Sequence, residues 1–203
     1  MAQKKESTFF NMVLTLVVIT LIAGVALAYV NQLTIEPIKQ AQKKKKIEAL
    51  VEVLPDFDNN PVETKKIVYS EAVNDSLEIF EAYKGDSLVG IAVNSVSPQG
   101  YSGDVRVMVG FFPDGTIYSI SVLQHKETPG LGTKMEDDTF KSQFNEKNPE
   151  YFSLQVKKDG GDVDAITAAT ISSRAFCQAV EVAYNMCIAN CDNISGATSS
   201  DYK

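Results

Sequence analysis

Tryptophan is absent from this chain, histidine occurs once, at His125, and the three cysteines, Cys177, Cys187 and Cys191, all fall within the last 27 of 203 residues. One histidine and three clustered cysteines do not make a convincing four-ligand zinc set. So few thiols also exclude a fold held together by a disulfide framework. The i, i+4 spacing of Cys187 and Cys191 allows a local disulfide on one helical face, but packing is the simpler role for all three. No nucleophile stands with a base in a recognisable pattern, so no catalytic residue and no metal ligand is assigned. A lone histidine such as His125 is more often structural than catalytic.

Basic charge is scarce in the part of the chain that would fold. From Ile47 onward there are 12 Lys plus Arg against 24 Asp plus Glu, a net of −12. An acidic surface repels nucleic acid, whose binding rests on phosphate neutralisation, so no nucleic-acid partner is expected. Residues 31–46 reverse the balance, with five Lys against one Glu. That basic collar suits anionic lipid headgroups or a solvated helix face.

Charge of either sign is missing from Phe9 to Val30, FFNMVLTLVVITLIAGVALAYV, over 22 positions. As a helix this run measures about 33 Å, enough for a hydrocarbon core of about 30 Å. Ala26-Leu27-Ala28 resembles a signal-peptide cleavage site, yet the run exceeds the ~7–15 apolar residues of such peptides, so it reads as a membrane anchor. Lys4 and Lys5 on one side oppose Lys39 and Lys43 to Lys46 on the other, and flanking charge leaves the orientation open.

Beyond the span, Ile47, Leu50, Val51 and Leu54 recur at i, i+3, i+4 and i+7, which predicts a helix ending before Pro55. Residues 55–76, rich in Asp, Asn and Pro, read as an irregular connection. SLEIFEAYK and SLVGIAVNSV flank Gly85-Asp86 as a hairpin. DVRVMVGFF alternates about Val105, Val107 and Val109; Pro113-Asp114-Gly115 turns the chain, and Tyr118, Ile120 and Val122 return it. These strands predict an antiparallel sheet with one buried face. ISSRAFCQAVEVAYNMCIANC keeps helical spacing through Phe176, Ala179, Val180, Ala183 and Cys187 and should pack on that sheet, giving an α+β fold.

Three loops stand out. DAITAATISS, Asp164 to Ser173, gathers small and hydroxyl residues where a helix begins. On local grounds an N-cap is the commoner explanation and an anion site the sharper one. LQHKETPGLGTKM and PQGYSGDV are glycine-rich turns, unremarkable singly. In order, GYSGDVRVMVGFFPDG, QHKETPGLGTK and DAITAATISS followed by a helix resemble the FMN-binding domain of the G subunit of Rnf-type ion-translocating electron-transport complexes. A related family is the C subunit of sodium-translocating NADH:quinone reductases. The resemblance covers residues 8–191.

That resemblance implies a short cytoplasmic N-terminus (1–8), a transmembrane helix (9–30), a basic juxtamembrane helix (31–54), an extracytoplasmic FMN-binding domain (55–191) and a flexible tail (192–203) in the cell inner membrane. It implies FMN attached through its phosphate to a threonine hydroxyl by a separate flavin transferase, with Thr170 as acceptor. Around it, Thr167, Ala169, Ser172 and Ser173 would line the attachment loop. Glu127, Thr128, Gly130, Leu131 and Gly132 would hold the ring, by backbone N–H groups and by the apolar Leu131. The implied role is an electron relay among the membrane subunits of an ion-translocating ferredoxin:NAD oxidoreductase, with no independent catalysis. The quinone-reductase homologue and a membrane-tethered, non-redox binding module are the alternatives.

Two departures from the family pattern bear on the site. Ala168 stands where the family has glycine. The tail DNISGATSSD repeats the attachment pattern at an offset of 28 and makes Thr198 a secondary candidate. Thr198 is five residues from the C-terminus with nothing beyond it to close a pocket, which favours Thr170.

Overall fold

A computed structural model describes residues 8–194, with side chains as far as Ala189. The chain divides into two units, Met1–Lys44 and Lys45–Lys203. The first helix, α1, is continuous over Phe9–Val53, 45 residues, with Pro37 inside it. In the first unit its apolar side chains are exposed throughout, and the helix is long and apolar enough to cross a membrane. The hydroxyls it carries are satisfied within the helix: Thr15 donates to Asn11 O at 2.7 Å, and Thr20 and Thr34 donate to Leu16 O and Val30 O at 2.9 Å. An apolar solvent would leave such groups no other partner.

The second unit is built on a five-stranded antiparallel meander in the order β1-β2-β3-β4-β5. The strands are β1 Lys66–Ser70, β2 Asp75–Lys84, β3 Ser87–Gly100, β4 Gly103–Phe111 and β5 Ile117–Gln124. Gly85-Asp86 makes the β2–β3 turn, as its spacing predicts, with Gly85 at φ 60. β1 lies in the stretch expected to be irregular. Its register against β2, from Lys66 opposite Ile79 to Ser70 opposite Asp75, makes it an edge strand. Its Val68 and Ser70 face inward while Ile67 and Tyr69 are exposed, so apolar side chains do not mark its buried side in the sequence.

Both faces of the sheet are covered, not one. On the first, Ile79, Ile91, Val93, Val105, Val107 and Val109 pack with Phe176, Ala179, Val180 and Ala183 of α3, the helix Thr170–Ile194. On the second, Phe80, Ala82, Ala92 and Met108 meet Ala49, Leu50, Val53 and Leu54, the last turn of α1 and the residue after it. That contact is close enough to demand glycine. A Cβ on Gly110 of β4 would stand 1.6 Å from Val53 O, and one on Gly90 of β3 would stand 2.9 Å from Pro55 Cδ.

Between β5 and α3 lie a 3₁₀ turn, Gly132–Glu136, a four-residue helix α2, Asp138–Lys141, and a second 3₁₀ turn, Lys157–Asp159. Aromatic rings pin this segment to α3: Phe140 and Phe144 lie 5.1 and 5.2 Å from Phe176, centroid to centroid. α3 extends three residues past the expected end at Cys191, into the stretch expected to be tail. Cys177 and Cys187 are buried, and the side chain of Cys191, the partner that the spacing allows for Cys187, lies outside those described.

Candidate functional site

The first turn of α3 begins without a side-chain cap. Ala169 holds the position that Ser, Thr or Asp ordinarily fills, and the turn contains no acidic residue. Among the described residues, the backbone N–H groups of Thr170, Ile171 and Ser172 have no acceptor. They form three orphan donors at the positive end of a 25-residue helix. The hydroxyls crowded there point elsewhere. Ser173 Oγ accepts the Ile166 N–H at 2.9 Å and donates to Ala169 O at 3.0 Å, fastening the loop to the helix it precedes. Between these anchors Ala168 takes φ +62, the left-handed conformation that glycine adopts without strain.

Ser172 Oγ donates to Glu127 Oε2 at 2.7 Å, and Glu127 Oε1 accepts the Ser102 N–H at 3.2 Å. Glu127 is only 5% exposed. Its side chain fills the space that two glycines leave. A Cβ on Gly132 would lie 2.7 Å from Glu127 Cβ and from Ser172 Oγ, and one on Gly100 would lie 2.7 Å from Glu127 Oε1. GYSG, ETPGLG and TAATISS therefore meet at one carboxylate.

The ETPGLG loop is largely self-satisfied. Glu127 N–H donates to His125 Nδ1 at 3.1 Å, Gly130 N–H to Thr133 Oγ1 at 2.9 Å, and Leu131 N–H to Thr128 O at 3.1 Å. Of the N–H groups expected to hold a ligand, those of Thr128 and Gly132 remain without an acceptor among the described residues. A neutral His125 whose Nδ1 accepts a hydrogen bond carries its proton on Nε2, which lies 3.2 Å from Glu136 Oε1. His125 thus braces the loop.

The structure brings together Glu127, Gly132 and Ser172, with Ala169 and Ser173 buried beside them. Thr128, Gly130, Leu131 and Thr167 are exposed, and Thr170 is half-buried at the first position of α3. Thr198 lies outside the described residues. Sequence reasoning missed Tyr101 and Ile171, which with Leu131 are 69%, 47% and 40% exposed. Each directly precedes a residue that touches or crowds Glu127, namely Ser102, Ser172 and Gly132. Large exposed apolar side chains next to glycines and serines were the available signal. On the Thr167 side a cavity of about 400 Å³ opens between Lys134, Thr139, Phe140, Gln143 and the segment 164–167. That volume is in the range of small-molecule pockets.

Residues 100–185 match the family model described as FMN-binding domain. The chain is 35% identical over 170 residues to the G subunit of the ion-translocating oxidoreductase complex of Shewanella piezotolerans, covering 77% of this chain and 78% of the relative. It is 43% identical over 109 residues to the G subunit of the corresponding Erwinia tasmaniensis complex, covering 51% of each. Among solved structures, Shewanella oneidensis NqrC matches with a TM-score of 0.45 and 22% identity, over 66% of this chain and 75% of that one.

Proposed function

We propose, from the premise that this chain belongs to the family of G subunits of ion-translocating oxidoreductase complexes, that it is an electron-relay subunit carrying FMN esterified through its phosphate to Thr170. The complex is a membrane-bound, Rnf-type ferredoxin:NAD oxidoreductase. α1 anchors the chain, and the FMN-binding domain faces the extracytoplasmic side of the cell membrane, among the complex's other membrane subunits.

The observation that carries this reading is the uncapped start of α3. Thr170 offers a hydroxyl at the first helical position, and the N–H groups of 170–172 supply donors for an anion bonded to it. Esterification replaces the Thr170 hydroxyl hydrogen with the phosphoryl group. A separate flavin transferase would supply the flavin as a phosphoanhydride, whose P–O–P bond breaks as the ester forms and whose other phosphate half leaves with the hydroxyl proton, and the exposed Thr167 and Ala168 leave the loop accessible to it.

The residues present fit FMN in two further respects. Tyr101, Leu131 and Ile171 offer apolar cover for a planar ring, and the cavity beside Thr167 has ligand-pocket volume. When bound, FMN supplies reversible electron uptake and release, and the protein's part is to hold and tune it. Ser172 and Ser173 serve that end by fixing the loop, since their hydroxyls are committed to Glu127, Ile166 and Ala169. A relay needs no residue that abstracts a proton from a substrate.

The test is coexpression of the full chain with the transferase, followed by flavin fluorescence of the denatured band. Wild type and Thr198→Ala should fluoresce equally and Thr170→Ala should not. A colourless wild type would favour a non-redox binding module, and a fluorescent Thr170→Ala band would remove Thr170 as the attachment point.

A further inference from the structure

Resting on that reading, we infer that Glu127 is a positioning residue for the attachment loop and that its buried charge holds the potential of a flavin on Thr170 below the value an uncharged side chain would give. Glu127 is the one side chain, among the described residues, that bonds both the β3–β4 turn and α3 while standing in the third loop itself. Its contact with α3 is at Ser172, two residues beyond Thr170 and in the same helical turn. The position of Thr170 relative to Leu131 and Tyr101 is thereby tied to two hydrogen bonds converging on one carboxylate.

The partners of that carboxylate are neutral: a backbone N–H and a hydroxyl. Among the described residues Glu127 joins no ion pair. Lys45 pairs with Glu136, at 3.8 Å, where His125 also turns its Nε2. When ionised, a carboxylate that is 5% exposed and in no ion pair among the described residues acts through a medium of low effective dielectric and is felt over several ångströms. Negative charge opposes the addition of an electron nearby, so the site is biased toward the oxidised cofactor.

Gln is nearly isosteric with Glu. Its amide oxygen can accept the Ser102 N–H and its amide nitrogen can donate to Ser172 Oγ, so Glu127→Gln keeps the clamp and removes the charge. Ser172→Ala does the reverse, cutting one bond and keeping the charge. With the full chain coexpressed with the transferase, Glu127→Gln should load flavin to the wild-type extent, with a midpoint potential more positive than wild type. Ser172→Ala and Glu127→Ala should load several-fold less flavin per protein. In protein made without the transferase, both should show faster amide exchange over residues 167–173. An unchanged potential in Glu127→Gln overturns the electrostatic role. Wild-type loading and exchange in Ser172→Ala and Glu127→Ala overturn the positioning role. A wild type without flavin would count against the flavin-carrying reading instead, and the exchange measurement on the unloaded chain would still decide whether Glu127 positions the loop.

Discussion

Ser172 and Glu127 are 45 residues apart in the chain, and their side chains meet in one buried 2.7 Å hydrogen bond. The bond joins the start of α3 to the loop that leaves β5, and the sheet and the aromatic cluster about Phe176 set the two within reach. A hydrogen bond to a charged group is worth about 1.5–3 kcal/mol, and a buried carboxylate that loses it costs more. The attachment loop is therefore held by the fold as a whole rather than by its own sequence.

Gly132 is the position where that dependence is most exposed to substitution. Its backbone is not in the left-handed region, so the constraint is space alone: a Cβ would meet Glu127 Cβ and Ser172 Oγ at 2.7 Å. Both neighbours are buried and cannot swing away freely. Gly132→Ala should lower stability by about 1–3 kcal/mol and reduce flavin loading with it. Urea midpoints and in-gel fluorescence on the same preparations check this, and an unchanged midpoint would mean that the loop has slack that the structure does not show.

Ala168 presents the opposite case, a side chain where glycine fits better. At φ +62 its Cβ crowds the backbone, and neighbouring hydrogen bonds at Ile166, Ala169 and Ser173 prevent relief. Ala168→Gly should raise stability by about 1 kcal/mol, since the strain removed exceeds the entropy glycine adds to the unfolded chain. A lower denaturation midpoint for the glycine variant would show that the loop does not hold this conformation in solution.

The parts of the molecule that follow a period were legible in the sequence. Val105, Val107 and Val109 alternate, Phe176, Ala179, Val180 and Ala183 recur at helical spacing, and sheet and helix stand where those patterns put them. The second buried face was harder to see. Gly90 to Ser97 in β3 is buried residue after residue, a run compatible with cover on both sides, but nothing local says that the end of α1 supplies it. β1 went unseen because Ile67 and Tyr69 face solvent while Val68 and Ser70 face inward, so its sequence does not alternate apolar with polar. At the site, the three loops could be marked by composition, whereas their meeting at Glu127 is a tertiary contact spanning 25 residues to Ser102 and 45 to Ser172. The same limit applies to the hydroxyls: sequence suggested a cap, and Ser173 bonds backward to Ile166 instead.

The Cys177 thiol of α3 should be chemically silent in the folded protein. Burial pushes the Cys177 thiol up to about 12, with the nearby carboxylates of Glu181 and Asp159 acting in the same direction. The thiolate is the reactive form, and Cys187 is fully buried as well. Iodoacetamide at pH 8 should leave Cys177 unmodified until denaturant is added, as peptide mass spectrometry would register. Labelling of Cys177 in the native protein would be incompatible with its packing against the sheet.

Glu78 on β2 ties the end of α1 to the sheet and should give the domain a measurable acid sensitivity. Burial alone would raise its pKa, but hydrogen bonds from Lys46, Lys65 and Asn94 outweigh that and bring it from 4.5 to about 2. Lys65 Nζ and Asn94 Nδ2 lie 2.8 and 2.9 Å from its oxygens. A carboxylate with a depressed folded-state pKa contributes stability that is complete above its unfolded value and is lost as pH falls through the folded one. For Glu78 that window runs from about 4.5 down to about 2. The contribution, discounted for solvent screening, is about 1 kcal/mol. Glu78→Gln lacks the titrating group, so its urea midpoint should fall below that of wild type at pH 7. The gap should narrow as both are titrated below pH 4.5 and close near pH 2. A gap that stays constant across that range would mean the carboxylate gains nothing from its three donors, and that the end of α1 is held on the sheet by Leu50, Val53 and Leu54 alone.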